Sequence, residues 1–210
     1  MYYHPTITHP SDNNLSKKSQ EDTSAPKLPV INLFAGPGSG KSTVMAETFA
    51  KLKRSGINCE MAPEWVKMAA WEGRSEVFSA QGYILEKQNW VLQRLRGKVE
   101  VVVSDSPLLL AAAYCQLAPN RVYDGVNWKS HCKSIFDTYD NFNIFLKRSK
   151  PYNPSGRTQD YETAKKVDSL IMDVLNEFNI PHFVLEDSPT VHEEIIKLYT
   201  DNKRALKTYY

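Results

Sequence analysis

Apolar and polar positions fall in blocks along the 210 residues rather than in one continuous pattern. Short runs rich in Val, Ile, Leu and Phe occupy 28–34, 99–104, 143–147 and 182–185, and the mixed stretch Ile57-Asn58-Cys59-Glu60-Met61 reads as a further short strand. Val99–Ser104 is β-branched and bounded by Asp105-Ser106-Pro107. The segments between them carry apolar residues at helical spacing. One helix is predicted from Ser42 to about Ser55, with Gly56 in the position of a C-terminal cap. Two more are predicted at 64–72 and 76–96, the second closed by Gly97. Leu108–Leu117, with Pro107 at its first turn, is apolar on nearly every side and is expected to be buried. Val167, Leu170, Ile171, Val174, Leu175 and Phe178 recur on one helical stripe, and Ser188-Pro189 opens a last amphipathic helix ending near Tyr199. Five strands interleaved with helices predict an α/β domain with a mostly parallel, doubly wound sheet and a ligand at the carboxyl ends of its strands.

Residues 1–27 stand apart. They are polar, with Ile7 and Leu15 as nearly their whole aliphatic content, and read as a flexible leader before a domain at 28–210.

The first strand runs into Ala35-Gly36-Pro37-Gly38-Ser39-Gly40-Lys41-Ser42-Thr43, the arrangement of a P-loop. Gly36, Gly38 and Gly40 let successive amide N–H groups turn inward as an anion nest, and the helix that follows adds its unpaired N–H groups and positive dipole end. Residues 36–43 are therefore the expected ATP-binding segment. Lys41 serves the outer phosphates and the Ser42 hydroxyl is a suitable Mg²⁺ ligand. Ala35 stands where the first glycine of the G-x-x-x-x-G-K-[ST] pattern would be.

Charged residues also wait at the ends of the next three strands: Glu64, Asp105 and Arg148. Asp105 is placed to share a Mg²⁺ shell with Ser42, or else it or Ser106 caps the following helix. Glu64 is a candidate base for an acceptor hydroxyl, with Trp65 as a flat wall beside it; alternatively it favours the first turn of its helix electrostatically. On the predicted helix 76–96, Gln81 and Gln88 fall within the apolar arc. A buried amide without a partner costs about 1–3 kcal/mol, so a ligand edge or neighbouring backbone must satisfy them. Four cations crowd the Pro- and Gly-punctuated stretch 147–157, so a lid is expected at about 148–158 with Arg148 and Arg157 closing on the transferred phosphoryl group. Trp71, Trp90 and Trp128 read as packing residues.

Bulk properties narrow the classes. A net charge of +2 and a pI near 8.3 do not favour a nucleic-acid binder. Three scattered cysteines give neither a disulfide framework nor a metal pattern. No membrane span, signal or transit segment is legible, so a cytoplasmic enzyme is expected. A homo-oligomer is compatible with the sequence.

On its P-loop, the Glu64-Trp65 pair, Gln88, Ser104-Asp105-Ser106, and Arg148 with Arg157, the chain resembles the P-loop kinases of nucleosides and nucleotides over about residues 29–200. It is most similar to bacterial nicotinamide riboside kinase domains. The resemblance implies a three-layer fold with a five-stranded parallel sheet of order 2-3-1-4-5, together with ATP and Mg²⁺. It also implies Glu64 as base, Gln88 as a substrate-facing residue and Arg148 and Arg157 as lid arginines. The expected activity is transfer of the γ-phosphoryl of ATP to a small nucleoside or nucleotide acceptor. The rivals are a monophosphate kinase, for which Lys67 and Arg74 are the obvious acceptor cations, a kinase of nucleic-acid ends or modified bases, and a P-loop nucleotide switch.

Overall fold

The computed structural model describes residues 26–117, 127–149 and 160–208. The leader up to residue 25 and Arg157 of the expected lid lie outside the described residues. Five strands, β1 (Pro29–Phe34), β2 (Cys59–Ala62), β3 (Val101–Ser104), β4 (Asp140–Lys147) and β5 (Phe183–Glu186), form one parallel sheet in the order β2-β3-β1-β4-β5. This is the order expected from the resemblance. Helices α1 (Lys41–Arg54), α2 (Val66–Trp71), α3 (Gln81–Gln93), α4 (Leu110–Tyr114), α5 (Trp128–Phe136), α6 (Tyr161–Glu177) and α7 (Val191–Thr208) flank it.

Alternation along β1 divides the core into two layers. Val30 and Phe34 join Leu85, Leu92, Leu109, Val167, Ile171 and Leu175 on one face. Ile31 and Leu33 join Val44, Leu52, Val191 and Ile195 on the other. With α3, α4, α5 and α6 on the first face and α1 and α7 on the second, every central strand is covered twice, which explains its unbroken apolar run. Asn32 breaks the run at a buried position, and its side-chain amide donates to the Oδ1 atoms of Asn141 (2.9 Å) and Asn143 (3.0 Å).

Several elements depart from the sequence pattern, among them α7, which continues to Thr208 instead of ending near Tyr199, and α4, which is α-helical only over Leu110–Tyr114 of the expected Leu108–Leu117. The single helix predicted at 76–96 is a 3₁₀ turn, Ser75–Ser79, followed by α3; the break is at Ala80 (φ −92°, ψ 61°). Local bonds close that turn, with Ser79 Oγ donating to the Glu76 carbonyl (2.8 Å). Strand β4 begins at Asp140, earlier than its apolar run, because Asp140 and Asn141 pair in register with Pro29 and Val30. Helix α5 escaped the pattern because its buried face consists of only Cys132 and Phe136. The tryptophans are also corrected: Trp71 and Trp90 are 68% and 58% exposed, and neither is a core residue. Among the described residues no helix is long and apolar enough to cross a membrane.

Candidate active site

The carboxyl ends of β1, β2 and β3 open on a cleft of about 320 Å³. Residues 37–43 of the P-loop form one wall. Glu64, Gln81, Gln88, Leu108 and Tyr114 are among the residues lining the remainder. Gly40 turns the loop into α1 with φ +93°, a value side-chain-bearing residues rarely adopt. A β-carbon there would also meet the Asp187 carboxylate at 2.6 Å. Lys41 folds back on the loop, donating to the carbonyls of Ala35 (2.8 Å) and Gly36 (2.9 Å). Burial pushes its ammonium below the ordinary lysine value, while Glu64, Asp105 and Asp168 pull it back up. A buried ammonium among three carboxylates is poised to exchange loop carbonyls for phosphate oxygens.

Asp105 connects the two halves of the cleft. Its Oδ2 accepts from the Ser42 hydroxyl (2.6 Å) and its Oδ1 accepts from the Glu64 amide (2.8 Å). The carboxylate is thus committed to the P-loop and the end of β2, and α4 begins only at Leu110, so the capping alternative does not describe it. A hydroxyl and a carboxylate in contact are a hard-oxygen pair suited to Mg²⁺. Among the described residues no group of three or more His, Cys, Asp or Glu could hold a metal. The Ser42–Asp105 pair would suit an ion that takes the rest of its shell from phosphate oxygens and water.

Gln81 and Gln88 are buried and face the cleft, and backbone satisfies part of each amide. Gln81 Nε2 donates to the Phe78 carbonyl (2.7 Å). Gln88 Nε2 donates to the Ala62 carbonyl (3.3 Å), and its Oε1 accepts from the Trp65 amide (3.4 Å). Gln88 therefore also fixes the turn that carries Glu64. The Trp65 ring does not form part of the cleft lining; it packs edge-to-face on Tyr83 with centroids 5.3 Å apart.

Arg148 is held beside the loop rather than over the cleft. Its guanidinium donates to the Pro37 carbonyl (2.8 Å) and to Asp168 Oδ2 (2.9 Å from Nη2, 3.2 Å from Nε). Asp168 Oδ1 in turn accepts from the Gly36 amide (2.5 Å). Gly36 must be glycine for a steric reason, since a β-carbon would lie 2.6 Å from the Ala164 carbonyl and 2.8 Å from Asp168. Asp168 was missed in the sequence because it borders the apolar stripe of α6 without belonging to it. Asp187 was missed although it sits at the carboxyl end of β5, where the strand-end rule applied to the other strands would have found it. Asp168→Ala removes the acceptor of the Gly36 N–H and the carboxylate partner of Arg148. A loss of about 2 kcal/mol in unfolding free energy is expected. Urea denaturation checks it, and ATP titration should show weaker binding because the loop loses its brace.

Comparison with known proteins follows the same lines. The family described as AAA domain matches residues 30–194. Similar solved structures include the NadR protein in complex with NR (TM-score 0.65, 13% identity, covering 82% of this chain and 51% of that one). They also include the NadR protein in complex with NAD and AMP-PNP (TM-score 0.61, 12% identity, 82% and 49%). Thymidylate kinase from Ehrlichia chaffeensis matches at a TM-score of 0.53 and 17% identity over 83% of this chain and 100% of the enzyme. At these identities the likeness establishes the fold, and the chain spans about half the length of the NadR structures. No curated protein sequence matches it. The P-loop, the sheet order and the family match agree: the chain belongs to the AAA domain family and has the P-loop kinase fold.

Proposed function

We propose that the protein is a phosphotransferase that moves the γ-phosphoryl of ATP to a hydroxyl of a nucleoside-type acceptor. The observation that carries this reading is the Asp105 carboxylate, which ties the Ser42 hydroxyl of the P-loop to the backbone of Glu64 within one cleft. Donor and acceptor groups are thereby fixed relative to each other, which is the main demand of phosphoryl transfer. The loop amides and Lys41 bind the β- and γ-phosphates. Ser42 and Asp105 would hold Mg²⁺, which neutralises phosphate charge when bound. Glu64 orients the acceptor hydroxyl and takes its proton. Arg148, already at the loop, would turn from its present partners toward the γ-phosphate, with Arg157 as its partner from the lid.

The acceptor side favours an uncharged group. Phe78, Ile84, Leu85 and Leu108 provide apolar walls, and Gln81 and Gln88 add amides that can read a base or sugar edge. Lys67 is the one cation among the described residues lining that side. Arg74 does not line the cleft and instead pairs with Glu72 at 2.7 Å, which speaks against a monophosphate acceptor. The fold likeness to the NadR protein, solved with NR and separately with NAD and AMP-PNP, supports a nucleoside-type acceptor, whereas the likeness to a thymidylate kinase keeps a monophosphate as the rival acceptor.

Incubating the protein with γ-labelled ATP and Mg²⁺ across nucleosides, nucleoside monophosphates and oligonucleotides tests the reading. Label transfer to a nucleoside hydroxyl is expected. Phosphate release at one rate with or without any acceptor would instead make the protein a nucleotide switch.

A further inference from the structure

Seven large hydrophobic side chains are exposed among the described residues, and four of them, Met68, Trp71, Tyr83 and Trp90, lie on α2 and α3. Along α3 and its C-terminal cap the exposed rings alternate with cations: Tyr83, Lys87, Trp90 and Arg94 recur at steps of four, three and four residues. At about 100° and 1.5 Å per residue they share one narrow stripe roughly 16 Å long. Each cation is already set against a ring. Lys87 Nζ lies 5.2 Å from the centroid of Tyr83 and 5.9 Å from that of Trp65. The Arg94 guanidinium lies 5.0 Å from that of Trp90. The Trp65–Tyr83 contact joins the stripe to the start of α2, and Lys67 and Trp71 of α2 line the active-site cleft. Aromatic and cationic groups therefore continue from the rim of the cleft to the end of α3.

We propose that this stripe binds single-stranded nucleic acid. Rings exposed at 47–68% offer faces on which unpaired bases stack, and a cation beside each ring meets the neighbouring phosphate. A base pair within a duplex offers no free face, so single strands are selected over duplex. Interface cores between proteins are depleted in lysine, whereas here a lysine sits between two rings at the centre of the patch. The nearby carboxylates do not oppose the stripe: Glu72 is paired with Arg74, Glu86 lies to one side of the α3 row, and Glu76 sits on the preceding turn. The near-neutral charge of the whole chain is no objection, because the cations needed are local. The proposal rests on the kinase reading only where the stripe meets the cleft, at which point the terminal nucleoside of a strand would be the acceptor.

The test is fluorescence anisotropy of the full chain with a labelled oligothymidylate of about twelve nucleotides and a duplex of equal length, without ATP. Binding of the single strand at least about tenfold tighter than of the duplex is expected. Three contacting cations, Lys67, Lys87 and Arg94, give a slope near −2 for log affinity against log salt, at about −0.7 per phosphate. Trp90→Ala should weaken binding about tenfold, and Lys87→Gln should make the slope shallower by about 0.7. Both variants should leave ATP binding unchanged. Absence of strand binding at low salt, equal affinity for duplex, or an unaltered affinity of Trp90→Ala overturns the proposal. So does a dimer in sedimentation that Trp90→Ala dissolves, which would make the stripe a self-association face. Since ATP is absent, failure here and failure of the kinase assay are separate results.

Discussion

Asp105→Asn is expected to lower turnover by about 10²- to 10³-fold while leaving the fold intact. The two contacts of the native carboxylate have different demands. The Glu64 amide can only donate, so it requires an oxygen; the Ser42 hydroxyl can donate or accept. An asparagine therefore fits the same place, with its oxygen toward Glu64 and its NH₂ toward Ser42. What disappears is the negative charge beside Ser42, and with it a hard anionic ligand for Mg²⁺. Lys41 also loses a carboxylate that helps keep it protonated in a buried position. The measurement is ATP affinity by titration calorimetry in Mg²⁺ and in EDTA. Native protein should bind much more tightly with Mg²⁺, and the variant should lose most of that difference, about 10- to 100-fold. Unchanged Mg²⁺ dependence would show that Asp105 is structural.

The parts of this fold written locally were the parts legible in the sequence. Val30–Phe34 and Val101–Val103 are buried on both faces, so their apolar runs have no polar interruption except Asn32. The glycines of the P-loop follow from the positive φ of Gly40 and the close approach of α6 to Gly36. Signals that depend on neighbours were not legible. The Asp140–Asn141 start of β4 is a strand only because Pro29 and Val30 lie beside it. Helix α5 rests on two buried residues, too few to show a period.

The site divides in the same way. A charged residue just after an apolar run marked Glu64, Asp105 and Arg148, because strand ends converge in any parallel sheet. The same argument did not show how Arg148 is used. Its guanidinium is bound to Asp168, a residue within the crossover helix α6 and absent from any local motif. Likewise, the burial of Gln81 and Gln88 was legible from helical spacing, whereas the partners of Gln88 at Ala62 and Trp65 depend on how the turn after β2 packs, and the Gln81 bond to Phe78 depends on the 3₁₀ turn before α3. Exposure of Trp71 and Trp90 was illegible for the opposite reason: sequence pattern assigns rings to a core by default, and only the packed structure shows what covers them.

Glu64→Gln tests the chemical step itself. The side chains are isosteric, and the Glu64 amide that donates to Asp105 belongs to the backbone, so the turn after β2 should survive the change. The variant lacks the carboxylate that would accept the acceptor's proton, and turnover is expected to fall by about 10²- to 10⁴-fold. ATP binding should persist, because the phosphates are held by the loop amides and Lys41. Glu64 is the strongest of the carboxylates that keep Lys41 charged, so its loss lets burial push that ammonium further down. A moderate weakening of ATP binding, most visible at alkaline pH, should therefore accompany the loss of turnover. Single-turnover experiments with saturating ATP separate the two effects. A phosphoryl-transfer rate equal to that of the native protein would remove Glu64 from the mechanism and leave acceptor positioning to Gln81 and Gln88 alone.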